Sequence, residues 1–359
     1  PVEPDVTIQY VYIFRSTGYI DTIDVRDTAT PVTLSTTGLA FTLPVSSSLM
    51  VQDADFIYVK NFYGSAENPN STYIIDWTAD PEVPVLVKTM SNTGVVNFGP
   101  SCGDLIVRKL NTTYDNILFG WNATNKITSH DIVDPLNPVL IDSIALSPAG
   151  EGLPSTLAFD ASSGRLYFAF DRIGAGQTRI GYVVVSSTGF FSGMTTATIH
   201  ISANFTLQGG VIFDGQYWLQ IPPATDYLVG YSLTDLTATG GLIYPAQTGI
   251  LKPLVWNDHI IIGRTIGVAA SYPVGIFDDT APCPVLVGHI GSLNGTILSM
   301  MISGDTLFTV SGTVLSIHDL TIPSAPALIS TMSVTSGDVL SMGGYPSGGW
   351  DGQNGLCSI

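Results

Sequence analysis

The sequence predicts an all-β fold made of seven four-stranded sheets in a ring, a seven-bladed β-propeller. Three observations lead to this prediction. A strand–turn–strand unit recurs along the chain, short polar turns separate further strands between its copies, and the two ends of the chain match different parts of one period. Each period has the length of one propeller blade, and a blade must stack on neighbours to bury its faces.

The repeated unit is a short strand that ends near an aspartate, a turn that contains proline, and a second strand rich in valine and leucine. Clear copies occupy residues 22–34, 74–87, 129–141, 275–287 and 316–329. The second prolines of these copies stand at 31, 84, 138, 284 and 326. The interval from 138 to 284 has room for two further copies, which we place at 181–187 and 230–236. Six blades are the alternative, because these two copies agree with the others only in length.

Polar turns predict the first hairpin of each period. They stand at 53–55, 161–164, 214–216, 257–258 and 304–305, with one more near 103 or 115. Each turn is followed by an apolar run, as in a β-hairpin. The resulting period has four strands.

The two ends of the chain predict how the ring closes. Residues 10–14 match the second strand of later copies, so the first blade lacks its innermost strand. Residues 337–342 resemble residues 295–300, which stand at a first-strand position. We therefore expect a C-terminal strand near 337–343 to complete blade one, within one domain that spans 1–359.

The unit Ile74-Ile75-Asp76, followed by Asp80-Pro81 and Pro84-Val85-Leu86-Val87, resembles the LVIVD repeat of bacterial and archaeal cell-surface propellers. The resemblance covers five of the seven periods. It implies a propeller and an extracellular or envelope location. It implies no catalytic residue.

Charge excludes two classes of partner. The chain has 12 Lys+Arg against 29 Asp+Glu, a net charge of -17, and only 11% charged residues. This small number of cations cannot neutralise a row of phosphates or bind an anionic membrane surface. We therefore expect neither nucleic acid nor membrane partners. No apolar run is long enough to span a bilayer. The start at Pro1 without Met is consistent with a removed signal peptide or a trimmed start.

Histidines and repeated aspartates are the candidates for chemistry, and both favour structural roles. His130 and His318 each precede a repeat aspartate, and a residue that recurs around a ring is typical of scaffold. The other histidines, His200, His259 and His289, lie in strand-like surroundings without metal-ligand spacing. The repeat aspartates are Asp24, Asp76, Asp131, Asp278 and Asp319.

We expect these carboxylates to accept backbone N–H bonds in the following turns. The alternative is a ring of carboxylates around a cation such as calcium. No sequence motif predicts a catalytic residue, a cofactor or a metal site. A pair of catalytic carboxylates of the glycosidase type stays an open alternative, because such a pair needs no local sequence motif.

Five sequons predict N-linked glycans: Asn70, Asn111, Asn122, Asn204 and Asn294. Four of them, all except Asn111, fall in second-to-third or blade-to-blade connections, which share one face of a propeller. The location of Asn111 depends on where blade three begins. We expect the glycosylated face to point to solvent.

The three cysteines allow at most one disulfide. We expect Cys283 to pair with Cys357 if a bridge forms, with Cys102 buried and free. Three reduced cysteines are the alternative.

These observations favour a secreted or cell-surface glycoprotein that acts as a non-catalytic structural or interaction module. It would contact a protein partner, or another copy of itself, through the face that carries the Pro-containing turns or through the outer rim. The alternatives are an extracellular glycan-active enzyme and a lectin-like binder that uses the propeller axis.

Overall fold

The computed structural model describes most of the strands and the turns that join them. The described residues are 8–15, 17–39, 48–52, 56–61, 72–90, 106–108, 116–122, 126–146, 154–172, 177–199, 210–213, 215–221, 226–244, 253–263, 273–278, 284–291, 293, 297–334, 339–346 and 357–358. Within these residues every regular element is a β-strand, so the all-β class is confirmed.

The described strands form seven antiparallel sheets, which we number along the chain. Sheet 1 contains β1 (Ile8–Arg15), β2 (Tyr19–Asp24) and β3 (Val32–Gly38); sheet 2 contains β4 (Ser48–Gln52), β5 (Phe56–Asn61), β6 (Thr72–Asp76) and β7 (Val85–Met90); sheet 3 contains β8 (Ile106–Arg108), β9 (Ile117–Asn122), β10 (Lys126–Asp131) and β11 (Val139–Ala145). Sheet 4 contains β12 (Pro154–Asp160), β13 (Arg165–Arg172), β14 (Gln177–Val185) and β15 (Phe191–Ile199); sheet 5 contains β16 (Gly210–Phe213), β17 (Gln216–Ile221), β18 (Asp226–Ser232) and β19 (Ala238–Tyr244); sheet 6 contains β20 (Leu254–Trp256), β21 (His259–Gly263), β22 (Val274–Asp278) and β23 (Val285–Ile290). Sheet 7 contains β24 (Ile297–Ser303), β25 (Thr306–Ser311), β26 (Val314–Asp319) and β27 (Ala327–Ser333), and the chain continues with β28 (Val339–Pro346) and β29 (Cys357–Ser358).

Each sheet from 2 to 7 contains four strands that are consecutive in sequence and pair as a meander, and sheet 7 adds β29, which pairs with β24. Sheet 1 differs, because its first strand is β28, which pairs with β1. The register places Tyr12 opposite Gly343 and Arg15 opposite Val339. The C-terminal strand thus lies beside the strand that the sequence analysis expected it to accompany.

The first strands of the sheets are called the inner strands here, and they contact one another in chain order. The contacts run from β4 to β8, β12, β16, β20 and β24, and β28 contacts both β24 and β4. The last strands of the sheets, β3, β7, β11, β15, β19, β23 and β27, are called the outer strands.

Apolar side chains fill the spaces between neighbouring sheets. One cluster joins sheets 7, 1 and 2 and includes Phe308, Tyr12 and Trp77. The rings of Tyr12 and Trp77 stack with centroids 5.1 Å apart. Strand residues alternate between the two faces of a sheet, and consecutive residues of the second strands, such as Ile260, Ile261 and Ile262, are buried, so these strands are buried on both faces.

Every sheet has a register shift between its third and outer strands. In each sheet one outer-strand residue is left without a partner: Leu34, Val87, Ile141, Gly193, Thr239, Val287 and Ile329. Such an extra residue is a β-bulge, and it turns the residue that follows it. In all five clear repeats the bulge is the third residue after the second proline, so the segment that follows this proline carries the bulge as well as the strand.

Candidate interaction surface

The turns between the third and outer strands are called the Pro-turns here. The structure describes four complete ones: residues 25–31, 77–84, 132–138 and 320–326. Each Pro-turn is followed by an outer strand, so these turns and strands together form one end and the rim of the assembly of sheets.

The repeat aspartates accept backbone N–H bonds at the start of the Pro-turns, as expected. Asp76 Oδ1 accepts the Thr78 N–H at 2.7 Å, and Asp319 Oδ1 accepts the Thr321 N–H at 2.8 Å. Asp24 and Asp131 do the same with the residue two positions further on, at 3.0 and 2.8 Å. The residues that follow Asp278 lie outside the described part of the chain.

A second aspartate caps the same turns, and the sequence analysis missed it. Asp27, Asp80 and Asp134 each accept the backbone N–H two residues further on at 3.0 Å. The hydrogen bond from Asn137 holds the pKa of Asp134 below its usual range, and the Thr30 hydroxyl does the same for Asp27. The signal in the sequence was a second Asp three or four residues after Asp24, Asp76 and Asp131.

These aspartates have a structural role. Each oxygen that faces the turn is already an acceptor of backbone or hydroxyl hydrogen bonds, so it stabilises the turn. Among the described residues, no group of three or more His, Cys, Asp or Glu side chains is placed to hold a metal ion. No helix in the described part of the chain is long and apolar enough to cross a membrane.

Valines directly after the second proline of the Pro-turns are exposed to solvent. The exposed fractions are 55% for Val32, 53% for Val85, 61% for Val139 and 56% for Val285. The turns add two more exposed side chains, Val133 at 69% and Ile322 at 61%. Apolar groups therefore recur at equivalent positions around one end of the molecule.

The residue after the bulge faces the Pro-turn, or the equivalent turn, of the next sheet. Ser35 donates its hydroxyl to the Glu82 carbonyl, and Ser330 donates to the Thr28 carbonyl at 2.5 Å. Asp142 Oδ2 accepts the N–H of Phe191 at 2.9 Å. Each contact joins an outer strand to the following sheet, and the contact of Ser330 joins sheet 7 to sheet 1.

Gly288 holds this same position in sheet 6. A Cβ atom added to it would lie 1.8 Å from the carbonyl oxygen of Pro323 in the Pro-turn of sheet 7. Only a glycine allows this approach of backbone to backbone. The sequence analysis did not identify this set of contacts, because the contacting residues differ in type from sheet to sheet.

An apolar residue anchors each described Pro-turn beneath its exposed surface. Val25, Trp77, Ile132 and Leu320 directly follow the repeat aspartates and are all buried. Val25 and Trp77 belong to the cluster that joins sheets 7, 1 and 2. The Pro-turns are therefore fixed both by aspartate caps and by packing between sheets.

Two of the histidines lie at equivalent buried positions of the repeat, as expected. His130 and His318 are buried at the ends of equivalent strands, and burial lowers the pKa of each to about 4. Nδ1 of His259 lies 2.5 Å from the carbonyl oxygen of Asn257 in a hairpin turn. His289 is exposed on an outer strand, and His200 lies outside the described residues.

Four sequons and two cysteines also lie outside the described residues, namely Asn70, Asn111, Asn204, Asn294, Cys102 and Cys283. The bounds of the flanking strands place Asn70 in a second-to-third connection, and Asn204 and Asn294 in sheet-to-sheet connections. Asn111 falls between β8 and β9, a first-to-second connection, which shares its end of the sheet with the Pro-turns. Asn122 ends β9, and Cys357 begins β29 opposite Met300. The glycans and the disulfide stay predictions.

Solved structures with a similar fold support the architecture. A protein from Bacteroides fragilis whose proposed activity is that of a 6-phosphogluconolactonase aligns with a TM-score of 0.65 and 13% identity, over 94% of this chain and 98% of its own. Its counterpart from Bacteroides uniformis gives 0.63 and 13%, over 95% and 99%. The C-terminal WD40 domain of Sif2 gives 0.52 and 9%, over 99% and 98%.

The chain has a propeller-like fold. Identities of 9 to 13% show the fold alone, since unrelated functions share this architecture. No protein-family model matches the sequence, and no curated protein matches it.

Proposed function

We propose that the chain is a seven-bladed propeller of the LVIVD type that works outside the cell as a non-catalytic glycoprotein. In this proposal it associates with other copies of itself, or with a protein partner, through the Pro-turns and the outer rim. The ring is supported by the seven sheets, by the pairing of β28 with β1 and by the contacts of β28 with both β24 and β4.

The exposed valines after the Pro-turns carry the proposal for contact. Val32, Val85 and Val139 are more than half exposed, although aspartate caps hold the turns before them. Val285 is exposed to a similar degree. Repeated apolar groups beside turns that are held in one conformation favour binding, because little conformational entropy is lost and the valines themselves carry no charge. Exposed apolar groups that recur in this way are typical of interaction surfaces.

Glycans would restrict contact to this end and the rim. Four of the sequons fall in connections at the opposite end of the sheets, where bulky hydrated sugars would oppose close approach. The sequon at Asn111 is the exception, and an occupied Asn111 would place one glycan near the Pro-turns of sheets 2 and 3.

Lysine substitutions test the contact surface. We expect Val85→Lys with Val139→Lys to weaken self-association roughly tenfold or more, since two desolvated charges would enter the interface. The measurement is molar mass by light scattering over a range of concentrations. Native glycosylated material should be compared in parallel, with glycoproteomics at the five sequons.

The control lies at the opposite end of the sheets, away from the Pro-turns and the outer strands. Thr17→Lys with Thr313→Lys adds equal charge at two exposed positions in turns that join a second strand to a third strand. This control should associate like the parent chain. Equal loss of association in both variants would contradict the proposal. A parent chain that stays monomeric, and that also binds no protein from the surface on which it occurs, would contradict it as well.

An enzyme that acts on sugars is the second candidate, because two of the similar structures belong to proteins with a proposed 6-phosphogluconolactonase activity. Such a substrate carries a phosphate and calls for free cations. Three of the described arginines already have partners: Arg15 pairs with Asp21, Arg26 pairs with Asp24, and Arg165 binds the Leu233 carbonyl. Hydrolysis of 6-phosphogluconolactone by the purified chain, above the spontaneous rate, would favour this candidate over the first.

A further inference from the structure

One face of sheet 1 carries a row of three residues that binds a cation of the chain itself. Asp24 of β2 is opposite Tyr10 of β1 and opposite Val32 of β3, and residues directly opposite each other on paired strands point to the same face. Arg26 is bound at this row. Its Nη2 lies 2.5 Å from Asp24 Oδ2, and its Nε lies 3.0 and 3.1 Å from the two carboxylate oxygens. Its guanidinium carbon is 5.4 Å from the centre of the Tyr10 ring, so charge, hydrogen bonds and an aromatic ring hold this guanidinium together.

Sheet 2 repeats this row without a cation of its own. Asp76 of β6 is opposite Phe56 of β5 and opposite Val85 of β7. Thr78 occupies the position that Arg26 has in sheet 1, two residues after the aspartate. Among the residues that the structure describes, no cation forms an ion pair with Asp76. The aromatic ring, the carboxylate and the valine are therefore all present, and the guanidinium is missing.

The two carboxylate oxygens of Asp76 differ in their surroundings. Oδ1 accepts the N–H and the hydroxyl of Thr78, each at 2.7 Å. No hydrogen bond from the described part of the chain reaches Oδ2, the oxygen that corresponds to the one bound by Nη2 of Arg26 in sheet 1. Val85 is 53% exposed, and Phe56 is half-buried. The row thus offers an acceptor oxygen beside an apolar surface that solvent reaches.

From the two rows we infer that Phe56, Asp76 and Val85 form a binding site for an arginine side chain of a protein partner. The inference rests on the proposed function, because it names a group of the partner that the exposed valines contact. Arginine fits better than lysine, because a planar guanidinium donates two hydrogen bonds to one carboxylate and stacks on an aromatic ring. Its aliphatic stem would pack on Val85. A different protein supplies the arginine, since this chain has only 12 Lys+Arg among 359 residues.

The rows of sheets 3 and 7 are poorer sites. Asp131 is opposite Ile117, and Asp319 is opposite Thr306, so neither row has an aromatic ring on its second strand. Of the four sheets whose Pro-turns are described, sheet 2 is the one that combines the aromatic ring and the carboxylate without an internal cation.

A small probe tests the site directly. The probe is Nα-acetylarginine methylamide, and its uncharged control is the citrulline analogue. The NMR chemical shifts of the Thr78 amide and the Val85 methyl groups measure binding. We expect saturation with the arginine probe and roughly tenfold or more weaker binding of the citrulline probe, which has lost the charge that Asp76 recognises. Equal binding of the two probes, or no binding of the arginine probe, would overturn the inference.

An exchange of residues between the two sheets tests where the site lies. Thr78→Arg gives sheet 2 the cation that sheet 1 has, so the arginine probe should no longer shift the Val85 methyl groups. Arg26→Thr should open the row of sheet 1, so the probe should then shift the Val32 methyl groups. The control, Thr321→Arg, adds the same charge at the equivalent position of sheet 7 and should leave binding at Val85 unchanged. Unchanged binding in Thr78→Arg, or no response of Val32 in Arg26→Thr, would overturn the inference.

Light scattering separates this site from the proposed contact surface. Thr78→Arg should leave the molar mass of the chain alone unchanged, and a lower mass would overturn the assignment of the arginine to a different protein. If the lysine variants at Val85 and Val139 weaken association but the arginine probe does not bind, the contact surface stands and this site is overturned. If the probe binds as expected and the lysine variants associate like the parent chain, the site stands and the proposed contact fails.

Discussion

Ser330 donates its hydroxyl proton to the carbonyl oxygen of Thr28 across 2.5 Å, although 302 residues separate the two in sequence. The donor is on the outer strand of sheet 7 and the acceptor is in the Pro-turn of sheet 1. Ser35 makes the same contact one sheet further on, with the carbonyl of Glu82. The contact between the last sheet and the first is therefore of the same kind as a contact between successive sheets.

Removal of this hydroxyl should lower the stability of the whole chain. We expect Ser330→Ala to decrease the free energy of unfolding by about 1 kcal/mol, because a half-buried carbonyl loses its hydrogen bond. Urea denaturation measures the change. Ser333→Ala, at an exposed position of the same strand, is the control and should change the free energy by less than about 0.5 kcal/mol.

Gly288 should tolerate no side chain. We expect Gly288→Ala to cost about 2 kcal/mol or more, because the new Cβ would lie 1.8 Å from the Pro323 carbonyl oxygen and the backbones must separate. The comparison is Gly193→Ala, where φ is +60° and nothing lies within 4 Å of the new Cβ. That variant should lose only about 1 kcal/mol through backbone strain. Equal losses in the two variants would show that the approach to Pro323 is not close.

Each aspartate cap should contribute separately to the free energy of unfolding. Asp76 accepts both the backbone N–H and the hydroxyl of Thr78, each at 2.7 Å. We therefore expect Asp76→Ala to lower thermal stability, with a loss of about 1 kcal/mol in the free energy of unfolding. Asp76→Asn keeps an oxygen acceptor and should retain most of the stability of the parent chain. An alanine variant as stable as the parent would argue against the role of the cap.

The two buried histidines should make the fold sensitive to acid. Burial lowers the pKa of His130 and His318 to about 4, from an ordinary 6.5. Between these pH values the unfolded chain binds more protons than the folded one, so stability is full above pH 6.5 and falls as the pH decreases toward 4. Each histidine contributes a slope of at most about 1.4 kcal/mol per pH unit in that window.

Replacement of one histidine tests this slope. We expect His318→Phe to flatten the dependence of the free energy of unfolding on pH between 4 and 6.5, as measured by urea denaturation. His289→Ala, at an exposed position, should leave the slope unchanged. The comparison between variants isolates the contribution of His318 to the slope. An unchanged slope in His318→Phe would contradict the role of burial.

Loss of β28 should damage the chain far more than loss of β29. We expect a chain that stops at Ser336 to lose its cooperative unfolding transition, because β1 would lose one of its two partner strands and the buried side chains beside it would be exposed. A chain that stops at Pro346 keeps β28 and should unfold cooperatively. Calorimetry distinguishes the two. Similar transitions in both would show that β28 is dispensable.

The sequence predicted those parts of the fold that repeat in residue type. The five clear repeats each have a strand that ends in an aspartate, and even the two weak copies mark real strands, β14 and β18. The contacts after the bulge recur in geometry but not in letters, since Ser35, Asp142 and Gly288 hold equivalent positions. Their role depends on the register of paired strands and on the distance to the next sheet, which a single sequence does not contain. The position of β29 is equally non-local.

The bulges in the outer strands affect whether strands of other molecules can pair with these edges. An outer strand presents a row of unpaired backbone groups, and many proteins protect such edges with lysine. The outer strands here are almost free of lysine, and valine or leucine is exposed on several of them. An irregularity at the same point of all seven edges breaks the straight hydrogen-bonding row that another strand would need to extend it. The shape of the edges thus provides protection against amyloid-like stacking that other proteins obtain from charge.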